Sequence, residues 1–154
     1  MPERDVEVLA RLYEAFNRRD MPAILECCDP RIEIFATDDL EYAALLLRVL
    51  GPRFVVLSGG YRGHDEVRQL FETVWAISDW FSVEAEDFVE HAGAVVVPLI
   101  MRARSADSGA EGEARTTHAF TMANGRARTM RVYANPGRAL AAAEFGFEAP
   151  AAEE

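Results

Sequence analysis

The chain has 154 residues, half of them hydrophobic, with 26 acidic against 16 basic side chains and a formal charge of -10. That is enough apolar chain to bury a core without disulfides or metals, so disorder is not the expectation. The acidic balance argues against nucleic acid or an anionic membrane as partner, because both need clustered Lys and Arg to neutralise phosphate. A small molecule or another protein fits better.

The only two cysteines, Cys27 and Cys28, are sequence neighbours and have no CxxC spacing. They supply neither a staple nor a zinc site and read as reduced packing residues, with no metal or organic cofactor expected. The N-terminus is charged from the start and lacks the apolar run of a secretory signal. No stretch reaches the roughly 18 apolar residues of a membrane span. The expectation is a cytoplasmic protein.

Val6, Leu9, Ala10, Tyr13 and Phe16 recur at amphipathic helical spacing, predicting a core-facing helix over about residues 4–18. Asp20 is placed as an N-cap and Pro22 in a first turn, so Ala23, Ile24, Cys27 and Cys28 form a short second helix closed by Asp29-Pro30. Ile32, Ile34 and Ala36 give the first strand its apolar face, with Glu33 and Phe35 opposite. Asp38 and Glu41 have the spacing of a capping pair, and Leu40 to Leu50 is apolar on nearly every side until Gly51-Pro52. Such a helix belongs over a cavity mouth or against a partner subunit.

A short strand is expected at Phe54–Leu57. Tyr61-Arg62-Gly63-His64 then leads into a helix whose first turn carries Asp65 and Glu66, suiting the positive end of the dipole. Its buried stripe is Val67, Leu70, Phe71, Val74 and Trp75, and His64 is read as an exposed residue at its start. From Phe81 the period changes to two. Strands over Phe81–Glu86, Phe88–Glu90 and Ala94–Arg104 follow, with Pro98 suggesting an edge or a bulge.

Arg115 to Arg126, with the return strand to Tyr133, reads as a hairpin turning at Asn124-Gly125. Alternation places His118 on one face with Phe120 and Met122, which are residues a buried face wants. Two readings stand: a satisfied core histidine, or the polar group of a pocket. An Ala-rich helix over Arg138–Glu144 ends the fold, and the tail from 148 to 154 is expected to be disordered. Helices preceding a run of antiparallel strands make an α+β pattern in which a strongly curved sheet wraps a helix into an open cone.

Tyr13-Glu-Ala-Phe-Asn17-Arg-Arg-Asp20, Tyr61-Arg-Gly63-His64-Asp65-Glu-Val67, the Ser108-Gly109 turn, His118-x-Phe120-Thr-Met122-x-x-Gly125 and Tyr133 stand in an order and spacing that resemble a known superfamily. This is the SnoaL-like branch of the nuclear transport factor 2-like fold. The resemblance covers residues 1–147 as one domain, apart from an apolar helical insert at about 37–58. It implies a mostly antiparallel sheet and a conical cavity, shared by isomerases, cyclases, hydrolases and plain binding proteins.

In ketosteroid isomerases and SnoaL-type polyketide cyclases, an aspartic acid occupies the position held here by His118. The isomerase's base would fall near Ala36 and its phenolic donor near Leu12. The essential aspartate of limonene-epoxide-hydrolase-like members falls at Val132. The resemblance therefore points away from those two reactions and leaves His118 as the candidate catalytic acid or base.

Arg102 shares an alternation with Ile100, and both are candidate ligand-binding residues together with Trp75, Tyr133, Phe120 and Met122. For Arg102 the plain alternative is a solvated strand-end charge, for Trp75 helix core and for Tyr133 sheet packing. The functional expectation is a protein taking a small apolar, cyclic or polyketide-like molecule, with cofactor-independent isomerase or cyclase chemistry. The alternative is a non-catalytic binding or assembly module, and a homodimer is expected in either case.

Overall fold

The computed structural model describes residues 2–35, 40–51 and 60–147. The expected strand at Phe54–Leu57, the Asp38 cap and the tail from 148 lie outside the described residues. Helices α1 (Pro2–Asn17) and α2 (Met21–Glu26) precede strand β1 (Cys28–Phe35), helix α3 (Leu40–Leu50), strand β2 (Gly60–Arg62) and helix α4 (Gly63–Ala76). Strands β3 (Ser78–Ala85), β4 (Val89–His91), β5 (Ala94–Ser105), β6 (Glu111–Ala123) and β7 (Arg126–Tyr133) follow, and helix α5 (Pro136–Glu144) closes the chain. The sheet order is β2-β1-β7-β6-β5-β3, with β4 also paired to β5. All pairings are antiparallel except β1 with β7. This large curved, unclosed sheet with five described helices is the expected α+β architecture.

The second helix ends earlier than expected: α2 stops at Glu26 with Cys27 as its C-cap, and Cys28, Asp29 and Pro30 belong to β1. Asp20 accepts a hydrogen bond from the Ala23 N–H at 3.2 Å and caps α2. At the tip of the β6–β7 hairpin, Asn124 and Gly125 have φ of 54° and 75°, the left-handed pair that a tight two-residue turn requires. Asn17 clamps the end of α1 to β3: its amide donates to the Val83 carbonyl and its carbonyl accepts from the Val83 N–H, both at 2.9 Å. His64 is half-buried rather than exposed, its Nε2 lying 3.0 Å from the Cys28 carbonyl, so it ties α4 to β1.

The sheet has two differently furnished faces. Inward, Val97, Leu99, Met101 and Ala103 of β5 join Phe120 of β6 and Val132 of β7 in the main core with α1 and α4. Leu9 of α1 is fully buried in that core, a burial worth about 1.5–3 kcal/mol on its own. Outward, Val96, Ala119 and Tyr133 pack beneath α5 around Ala139.

Pro98 lies in an interior strand and not at an edge. Its carbonyl accepts from the Glu86 N–H at 2.8 Å, so its nitrogen faces the same flank, between the last β3 pair at Leu99 and the first β4 pair at Val96. The proline occupies the changeover between two neighbours, where a missing donor breaks no ladder.

Candidate functional site

Between the inner sheet face and helices α1, α3 and α4 lies a cavity of about 130 Å³. Its wall is hydrocarbon and aromatic ring, and no Asp, Glu, Lys or Arg lines it among the described residues. Its polar groups are His118 from β6 and three phenols: Tyr13 from α1, Tyr42 from α3 and Tyr61 from β2. No group of three or more His, Cys, Asp or Glu side chains with metal-binding geometry occurs among the described residues.

The central contact is a hydrogen bond of 2.8 Å between the Tyr13 hydroxyl and His118 Nδ1, spanning 105 residues of sequence. The two rings lie nearly parallel, 16° apart with centroids 5.8 Å apart. Phe120 meets both edge-on, at 86° to Tyr13 and 79° to His118. This packing fixes the imidazole's orientation. Nε2 makes no hydrogen bond among the described residues.

Burial controls protonation here. It lowers the His118 pKa from 6.5 to about 3, so the imidazole is neutral at pH 7. The Tyr13 phenol is pushed well up by the same desolvation and, secondarily, by the neighbouring Tyr42 phenol, so it also stays neutral. A neutral Tyr–His pair owns two protons and spends one on its internal bond. If Tyr13 O–H donates to Nδ1, the spare donor is Nε2–H; in the other tautomer it is the phenol, and Nε2 is left as acceptor. Either way the pair presents one donor and one acceptor to the cavity.

Of the residues expected around His118, Phe120 lines the same cavity, and the others stand elsewhere. Arg102 and Ile100 are on the outer face: Arg102 Nη1 donates to Glu84 and Nε to Glu113, both at 3.0 Å, in a cross-strand ion-pair ladder. Tyr133 lies opposite Thr117 under α5, while its neighbour Val132 faces the cavity. Trp75 packs on Phe16 and Phe71 behind the wall, with the Arg19 guanidinium over its ring. Met122 follows a register shift after Thr121 and lines a second, more polar hollow beside Asp5, Glu90 and His91.

Tyr13, Tyr42 and Tyr61 were legible only as apolar-stripe or turn residues. The phenol near the histidine comes from Tyr13 and not from Leu12, which contributes only hydrocarbon to the wall. The available signal was the family string beginning at Tyr13.

Residues 9–130 match the model of the SnoaL-like domain. The chain belongs to that family. No curated protein matches its sequence. Among solved structures, a nuclear transport factor 2-like protein of unknown function from Burkholderia pseudomallei K96243 superposes with a TM-score of 0.69 at 23% identity, covering 88% of this chain and 93% of that one. A candidate SnoaL-like polyketide cyclase from Jannaschia sp. CCS1 gives a TM-score of 0.67 at 16% identity, covering 96% and 94%. RV0760c from Mycobacterium tuberculosis, in complex with estradiol-17β-hemisuccinate, gives 0.64 at 15% identity, covering 86% and 94%. These likenesses carry the fold. The chemistry must come from this chain's own site.

Proposed function

We propose that the protein binds a neutral, apolar cyclic molecule through one oxygen and that the Tyr13–His118 pair catalyses its keto–enol interconversion without a cofactor. The observation that carries this is the 2.8 Å hydrogen bond between two neutral, buried groups in a wall whose described residues carry no charge. The steroid ester held by RV0760c supports a small-molecule occupant in this fold.

The chemistry follows from the tautomers. With Nδ1–H donating to the Tyr13 oxygen, the phenol gives its proton to the ligand carbonyl as it receives the Nδ1 proton. Nε2 takes the proton from the carbon next to that carbonyl. The ligand's C–H bond breaks, its O–H bond forms, and the pair ends in its other tautomer. No charge is created at any stage, which matters in a wall whose described residues offer no counter-ion and which already holds His118 neutral. The enol is the reactive species for isomerisation or aldol-type cyclisation.

The test is exchange of the α-hydrogens of cyclohexanone in D2O, followed by proton NMR with catalytic protein. Wild type should accelerate exchange over buffer, and Tyr13→Phe and His118→Ala should each lose about a hundredfold. Exchange that is indifferent to His118→Ala would sink the assignment.

A second reading, a binding module that pairs as a homodimer, draws on one observation: Leu47 of α3 is 48% exposed while Leu46 faces the cavity. Sedimentation of Leu47→Asp tests it. A dimer that persists in this variant removes α3 from the interface.

A further inference from the structure

Helix α3 is seated on the sheet through its backbone. A Cβ added at Gly112 would overlap the Arg48 carbonyl and stand 2.9 Å from Val49 Cα. Gly112 has no left-handed φ, so glycine is needed for this close approach and not for its conformational freedom. This close approach sets where the helix lies, and its side chains Tyr42, Leu46 and Leu50 line the cavity.

That wall sets the size of the cavity. The volume of about 130 Å³ is close to the roughly 150 Å³ of an engineered apolar cavity that accepts benzene. A volume of that size matches a single ring. With no charged lining residue among the described residues, a carboxylate ligand is unwelcome, because its desolvation would go unmatched.

The same helix brings a polar group. Tyr42 is 7% exposed and lines the cavity beside Tyr13, and no hydrogen bond joins its hydroxyl to another described residue. A phenol on the cavity wall can donate to a ligand oxygen. Tyr42 and Tyr13 line the same cavity, so one ligand can meet both hydroxyls.

We propose, resting on the reading of the Tyr13–His118 pair given above, that α3 is the specificity element of the site. It restricts the ligand to one neutral ring bearing one oxygen, and Tyr42 donates a second hydrogen bond to the oxygen that the pair engages.

The experiment is calorimetric titration of the full chain with 4-methylphenol, toluene, 2-naphthol and 4-hydroxybenzoate. Wild type should bind 4-methylphenol, with 2-naphthol and 4-hydroxybenzoate weaker by about a hundredfold or more. Leu46→Ala should admit 2-naphthol. Tyr42→Phe should weaken 4-methylphenol about tenfold and leave toluene unchanged, since only the oxygenated ligand uses the hydroxyl. Wild type that binds 2-naphthol as tightly as 4-methylphenol, or that binds 4-methylphenol not at all, overturns the proposal. So does Tyr42→Phe that alters both one-ring ligands equally or neither. If His118→Ala weakens 4-methylphenol while Tyr42→Phe does not, this proposal falls and the reading of the pair stands. If His118→Ala leaves binding unchanged, the reading of the pair falls with it.

Discussion

The two faces of strand β5 differ in what they do with charge. One residue apart, Met101 is buried against the cavity and Arg102 lies in the outer ladder between Glu84 and Glu113. The outer face can hold a guanidinium because water and two carboxylates surround it. Among the described residues the cavity side has no carboxylate, and its histidine, His118, is kept neutral by burial. Neutral polarity inside and paired charge outside define what the cavity can bind.

The sharpest way to break that contrast is to move the arginine by one position. Met101→Arg places an unpaired cation in the core and is expected to cost roughly 3–5 kcal/mol, enough to unfold a marginal domain. Arg102→Met removes a solvent-screened pair and should leave the denaturation midpoint little changed. Urea titrations of both variants check this, and equal losses would mean that the faces do not differ as described. Next in size is Gly112→Val, which pushes α3 off its seat at a cost of roughly 1–3 kcal/mol. Hydrogen exchange should show the loss concentrated in α3 amides, whereas Met101→Arg should weaken the whole sheet.

The same contrast explains what could be read in advance. The hairpin was legible because Asn124-Gly125 has one favoured turn and because β6 carries a histidine between recognisable core residues. Arg102, Ile100 and Tyr133 were misplaced because β5 and β7 are covered on both faces near α5. Val95, Val96 and Val97 are all buried, so no alternation of polarity marks which parity faces inward. The Tyr13–His118 bond joins residues 105 apart, and only the curvature of the sheet over α1 brings them together. Tyr42 is invisible for the same reason: its helix reads as apolar throughout, and the cavity it faces exists only in three dimensions.

A smaller effect isolates the neutral interior by pH. The folded His118 has a pKa of about 3 against 6.5 unfolded, so between these values the unfolded chain binds the extra proton. Stability from this group is therefore full above about pH 6.5 and is lost as pH falls toward 3. At about 1.4 kcal/mol per unit, the loss by pH 5 is about 2 kcal/mol. Chemical denaturation of wild type and His118→Gln at pH 7 and 5 should show a smaller drop in the variant. His64 and His91 are common to both and cancel. Parallel drops would mean that His118 is hydrated and not held in an apolar wall.

The mildest test addresses the outer face where α5 covers it. Thr117 is fully buried there, opposite Pro98 on one side and Tyr133 on the other, and its hydroxyl has no partner among the described residues. An unpaired buried hydroxyl is a cost that folding must absorb, and valine has nearly the same shape without it. Thr117→Val should therefore stabilise the protein by up to about 1 kcal/mol, read as a rise of a few degrees in Tm. It should leave the affinity of the cavity for 4-methylphenol unchanged, because Thr117 and His118 point to opposite sides of the same strand. A destabilised variant would mean that the hydroxyl is satisfied by water, and the region under α5 would then count as wet rather than as a second dry core.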